Sequence, residues 1–136
     1  MKNFHSYISH TVSFLSEEQI YAQAEIKGTD FFPDINGCTA FYRHTHEKGI
    51  FVVSAIFGLP DKELGHNGVC SYEINLVDRQ KSSLLLPHIC GNDGLAFSLF
   101  YTEELHTNEI IGGTVAILRS KNSSEQLACG LILPAN

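Results

Sequence analysis

The stretch QIYAQAEIK, residues 19–27, decides how this chain is read. Ile20, Ala22, Ala24 and Ile26 alternate with Tyr21, Gln23 and Glu25, which is the period of a β-strand that buries one face. Moving outward, residues 35–43 form a second strand-like run. The polar HTHEKG (44–49) then leads into residues 50–59, and two such runs joined by a short loop ending in Gly read as a hairpin. Residues 50–59, IFVVSAIFGL, are apolar on both faces, so the outward side must meet a partner surface, and another subunit is one such surface. Residues 60–68 read as a loop and 69–77 as a fourth strand.

After a short connection and Pro87, residues 95–101 place Leu95, Phe97, Leu99 and Tyr101 on one side and Ala96, Ser98 and Phe100 on the other. Residues 114–118 and 127–133 complete seven to eight strands. Helix is scarce. Ser16-Glu-Glu-Gln19 fits a capping pattern and Thr107-Asn-Glu-Ile110 fits a single turn before Gly112-Gly113. Many short strands with spaced turns predict an all-β Greek-key barrel or sandwich.

The 136 residues, 43% of them hydrophobic, suffice for one core, so the expected organisation is an N-terminal arm over 1–19 and a single domain over 20–136. Nine Lys and Arg against 15 Asp and Glu give a formal charge of −6, which repels a phosphate backbone and argues against nucleic acid as a partner. The opening MKNFHSYISHTVSFL lacks the apolar run and small-residue cleavage site of a signal peptide. No stretch approaches the roughly 18–20 apolar residues that cross a bilayer as a helix. A soluble, cytoplasmic protein without membrane contact is the expectation. Cys38, Cys70, Cys90 and Cys129 are spaced by 32, 20 and 39, which suits neither a CxxC motif nor a zinc site; small buried hydrophobes are the simpler reading.

Several segments, in order, resemble the scaffold of the Cu/Zn superoxide dismutase family: AQAEIKG (22–28), INGCTAFYR (35–43), FVVSAIFGLP (51–60), GNDGLAFSLF (91–100), EIIGGTVAIL (109–118) and LACGLI (127–132). IIGxTV followed by LACG and a short apolar end is the most specific part, and the resemblance covers about residues 20–133. It implies an immunoglobulin-like Greek-key β-barrel. It also implies copper held by histidines and zinc held by histidines and an aspartate, one histidine bridging the two.

This chain departs from that pattern at each ligand. Where the resemblance calls for an H-x-H pair on a strand, Glu73 and Asn75 stand in Tyr72-Glu73-Ile74-Asn75. The long Gly-rich segment that would carry the bridging histidine has no room. The later zinc ligands fall at about Ser82 and Leu85, the last copper histidine on Leu118, and the guanidinium that attracts superoxide near Gln126. The two loops that wall the family's site are shortened as well, between Asn75 and Pro87 and between Leu118 and Leu127. Cys129 takes the place of the family's disulfide cysteine, but its partner is missing, so a reduced, packed thiol is expected.

The expectation is therefore a non-catalytic relative with no catalytic residue and no cofactor, acting in binding, assembly or structural support, as a homo-oligomer or with a protein partner. The alternative is residual dismutase activity or copper or zinc binding through His44 and His46, alternate residues of the HTHE segment that share one side when extended. A solvated turn accounts for those histidines more simply. His5, His10, His66 and His88 read as arm, surface or structural residues, and a His88–Cys90–Asp93 nucleophile lacks an orienting group and a pocket. Glu73 and Asn75 could hold a cation or small polar ligand, but outward polar residues on a half-buried strand are the ordinary pattern. Glu103-Glu104 reads as a solubilising loop end.

Overall fold

The computed structural model describes residues 19–43, 48–60, 72–90, 94–105, 107–119 and 122–135. Among these described residues there are nine antiparallel strands: β1 (Gln19–Gly28), β2 (Asn36–Arg43), β3 (Ile50–Phe57), β4 (Tyr72–Val77), β5 (Ser83–Leu86), β6 (Ile89–Cys90), β7 (Ala96–Thr102), β8 (Thr114–Arg119) and β9 (Asn122–Pro134). The one described helix, α1 (Thr107–Ile110), is the single turn expected before Gly112-Gly113. Gln19 opens β1, so the capping pattern at Ser16 starts no helix that includes it; residues 16–18 lie outside the described residues.

The strands form one sheet in the order β5-β4-β8-β9-β1-β2-β3-β7-β6. Its two edge strands, β5 and β6, are separated in the chain by Pro87 and His88 alone. They act as two halves of one bent strand. The first half pairs with β4 through Leu76↔Leu84 and Ile74↔Leu86, and the second pairs with β7 through Ile89↔Phe97 and Cys90↔Ala96. The sheet thereby wraps into a nearly closed barrel whose seam lies at Pro87-His88. Pro87 has no N–H to offer a ladder, which is why pairing changes sides there. Ser98 Oγ donates to the Pro87 carbonyl and His88 Nδ1 lies 3.1 Å from the Leu86 carbonyl oxygen, so the seam is tied from both sides.

From β4 through the bent strand to β7 the chain runs as a meander, and β8 returns by a long connection to lie beside β4. That is a Greek key. Counting the bent strand once gives eight staves, in line with the seven to eight read from the sequence. The reading missed β5 and β6 because Ser83-Leu-Leu-Leu86 is too short to show a period. The β4–β5 hairpin closes through a tight turn: Asp78 N–H donates to the Ser82 carbonyl, Ser82 N–H donates back to Asp78 Oδ1, and Lys81 takes the left-handed φ of 69°.

The interior is filled by alternate strand residues: Ala22, Ala24, Ile26, Ile74 and Leu76, which the sequence pattern picks out, together with Phe41, Val52, Ile117 and Ile132. On β4 the split is clean, with Tyr72, Ile74 and Leu76 inward and Glu73 and Asn75 half-exposed. Strands β2 and β3 are buried on both sides. Their outward residues Cys38, Ala40, Tyr42, Val53 and Ala55 form a second cluster, flanked by Phe51, Phe57, Phe97 and Leu99. The doubly apolar run at residues 50–59 thus finds its outer cover at least partly in its own sheet, where small residues sit between large ones.

Two polar details fix the frame. Inside the barrel, Thr39 Oγ1 and Ser54 Oγ satisfy each other at 2.8 Å, so these buried hydroxyls carry no unpaired burden. At the end of β1, the loop of residues 29–35 folds back over Gly28, where a Cβ would lie 1.8 Å from the Phe32 carbonyl oxygen. Only glycine permits that approach.

Candidate functional site

In an antiparallel sheet, residues directly opposite each other project to the same side. Across β4, β8 and β9 the register sets Glu73 beside Leu118 and Leu118 beside Gln126. Two residues along β4, Asn75 pairs with Leu85 on β5 and with Ala116 on β8, and Ala116 pairs with Cys129. Five of the six positions singled out from the sequence therefore share one region of the outer wall: Glu73, Asn75, Leu85, Leu118 and Gln126. Ser82 stands apart, exposed in the β4–β5 turn and held by Asp78.

That wall offers little to a metal. Glu73 is its one carboxylate and Asn75 and Gln126 its amides, while Leu85, Leu118 and Ala116 fill the space between. Copper or zinc needs three or four nitrogen, sulfur or carboxylate donors converging on one point. The Cys129 thiol lies two strands from Asn75, about 10 Å at ordinary strand spacing. Among the described residues, no three His, Cys, Asp or Glu side chains stand close enough to hold a metal ion. The donor set at the positions implied by the resemblance does not fit copper or zinc. His44 and His46, like His5, His10, His66 and Asp93, lie outside the described residues.

The Cys38 thiol does not stand ready for nucleophilic chemistry. Burial pushes the Cys38 thiol up to about 12, which keeps it protonated at neutral pH. Its Sγ lies 3.7 Å from the Thr39 carbonyl oxygen. Cys38 bears out the reading of cysteine as a small buried hydrophobe; Cys129 corrects it. The expectation of a packed Cys129 fails because it projects outward from β9, between inward Ala128 and buried Gly130, and is exposed. Both thiols are free. His88 turns its Nδ1 to the Leu86 carbonyl oxygen, an engagement that ties the seam.

A second feature adjoins this wall, and the sequence reading passed over it. At one end of the barrel a cavity of about 680 Å³ opens between the 29–35 loop and β9, lined among the described residues by Thr29, Asp30, Phe31, Phe32, Glu125 and Gln126. The loop is pinned: Thr29 N–H donates to the Leu127 carbonyl, Phe32 N–H to Thr29, Ile35 N–H to Phe32 and Gly28 N–H to Ile35. Phe31 projects almost fully into solvent, 89% exposed. Behind it Arg119 closes the barrel end. Its guanidinium carbon lies 5.9 Å from the Phe32 ring centre and 5.7 Å from that of Tyr72, and its Nε donates to Glu125 Oε1 at 2.8 Å. The signal in the sequence was two adjacent phenylalanines in a polar turn between Gly28 and Pro33, which no strand or helix period explains.

No family model and no curated protein matches this chain.

Proposed function

We propose that this protein is a Cu/Zn superoxide dismutase-like barrel that has lost its metal centre and works as a non-catalytic binding, assembly or structural module. The observation that carries this reading is the content of the outer wall of β4, β8 and β9: Glu73, Asn75, Leu118 and Gln126 occupy the ligand positions and their surroundings, one carboxylate among amides and aliphatic side chains. The Greek-key order of the strands is the one the resemblance implies. The tight turns support it too. Asp78 to Ser82 is bridged by backbone hydrogen bonds, and Arg119 pairs with Asn122 across only two residues, so neither hairpin has length for a loop that would wall a copper site.

The exposed Leu85, Leu131 and Leu133 on the same side of the barrel favour a homo-oligomer or a protein partner. Among the described residues no helix is long and apolar enough to cross a membrane. The test is a superoxide dismutation assay on protein loaded with copper and zinc. The expected result is decay of superoxide no faster than in protein-free buffer. Turnover that disappears on exchange of His44 and His46 for Ala would overturn the reading and assign those histidines as ligands. Sedimentation over a range of concentrations tests the oligomer, which a monomer throughout would eliminate.

A further inference from the structure

The cavity at the barrel end has three properties that together select a ligand class. Its walls are preorganised, because the 29–35 loop is held by four backbone hydrogen bonds and by the close approach at Gly28. Preorganised walls lower the ordering cost of binding. Its lining carries Asp30 and Glu125 and no basic residue among those described. Its rim carries an aromatic ring, Phe31, exposed on the face of a pinned loop rather than packed.

The molecule itself demonstrates what such a setting takes. Just behind the cavity, the Arg119 guanidinium lies over the Phe32 ring while its Nε donates to Glu125. A planar cation is thus bound between a phenyl face and a carboxylate. One residue earlier in the same turn, Asp30 and Phe31 again supply an acid and a ring, both exposed and both lining the cavity.

We propose that the groove formed by Asp30, Phe31, Glu125 and Gln126 binds the guanidinium of an arginine side chain presented by a peptide segment of a partner protein. The Phe31 ring takes the cation on its face, Asp30 accepts its N–H groups, and the Gln126 amide lies beside the entry. Arginine suits this better than lysine, because a planar, weakly hydrated guanidinium stacks on a ring and donates in the same plane. The formal charge of −6 draws a basic segment toward the molecule. Such binding does not depend on whether the barrel ever carried a metal.

The experiment is titration of the full chain, labelled with nitrogen-15, with the blocked tripeptides Gly-Arg-Gly and Gly-Lys-Gly, followed by amide shifts. The expected result is saturable movement confined to residues 29–32 and 125–127 with the arginine peptide, and affinity at least about threefold weaker with the lysine peptide. Phe31→Ala weakens the arginine peptide by about three- to fivefold, the size of an exposed cation–π contact. Asp30→Asn weakens it and flattens its salt dependence. Both side chains are exposed, so the variants keep the parent spectrum elsewhere. Absence of saturation, equal affinity for the two peptides, or affinity unchanged by Phe31→Ala would overturn the proposal.

Discussion

Burial, more than charge, sets the chemistry of individual residues in this barrel. Cys38 and Tyr42 hold their protons up to about 12, against ordinary values near 9 and 10, because the anion would be desolvated in the outer cluster. Tyr21 is shifted the same way by burial, partly opposed by Arg43 over its ring. These groups have folded-state pKa values above their unfolded ones, so the stability they support is complete below about pH 9 and is lost as pH climbs toward 12. Urea midpoints measured at pH 8, 10 and 11 should fall in that order; a flat profile would contradict the burial. Iodoacetamide at pH 8, read by peptide mass, should label exposed Cys129 well ahead of Cys38. The Tyr21 hydroxyl is buried with no hydrogen-bond partner among the described residues. Tyr21→Phe should therefore leave stability unchanged or raise it by up to about 1 kcal/mol in urea unfolding, since it removes an unsatisfied group. At this scale the sequence told only part: Glu73 and Asn75 outward follow from period 2, whereas the exposure of Cys129 depends on which side of β9 meets the core.

Alternation made most of the elements legible. Strand β1 follows the alternation from Ala22 onward, but a bulge between Ile20 and Ala22 corrects it at the start, setting Ile20 against the outer cluster and Tyr21 against the inner core; β7 shows the two-sided split of Phe97 and Leu99 against Ala96 and Ser98. What alternation cannot show is a strand of two to four residues, and the seam is built from two of them. Between the bent strand and β7, Ser98 adds a side-chain hydrogen bond to the Pro87 carbonyl at the seam. Ser98→Ala removes that part-buried hydrogen bond and should cost about 1 kcal/mol in urea unfolding. It should also speed amide hydrogen exchange in Ser83–Leu86 and Ile89–Cys90 more than in β1 or β2, because pairing across the seam is short. Equal acceleration throughout would mean that the seam opens only with the whole barrel. The 29–35 loop was equally hidden, since its phenylalanines serve neither face of any strand.

At the scale of the molecule, a closed sheet leaves only its outer walls and its ends for function. One wall, over β2, β3 and β7, packs Val53 and Ala55 among the large side chains of Phe51, Phe57, Phe97 and Leu99. The opposite wall gathers five of the six positions the sequence had marked, which chain distance alone could not have brought together: Glu73, Leu118 and Gln126 are neighbours only because β8 returns to lie beside β4. The barrel end holds the cavity at Phe31. On the proposed reading the metal donors were lost from this wall, where Leu85 and Leu118 project outward from β5 and β8, so the barrel core is left as it was. The most direct test of that account is elemental analysis of purified protein after loading with copper and zinc and exhaustive dialysis. The account predicts no stoichiometric metal; about one copper retained per chain would contradict it and place a metal centre in this barrel after all.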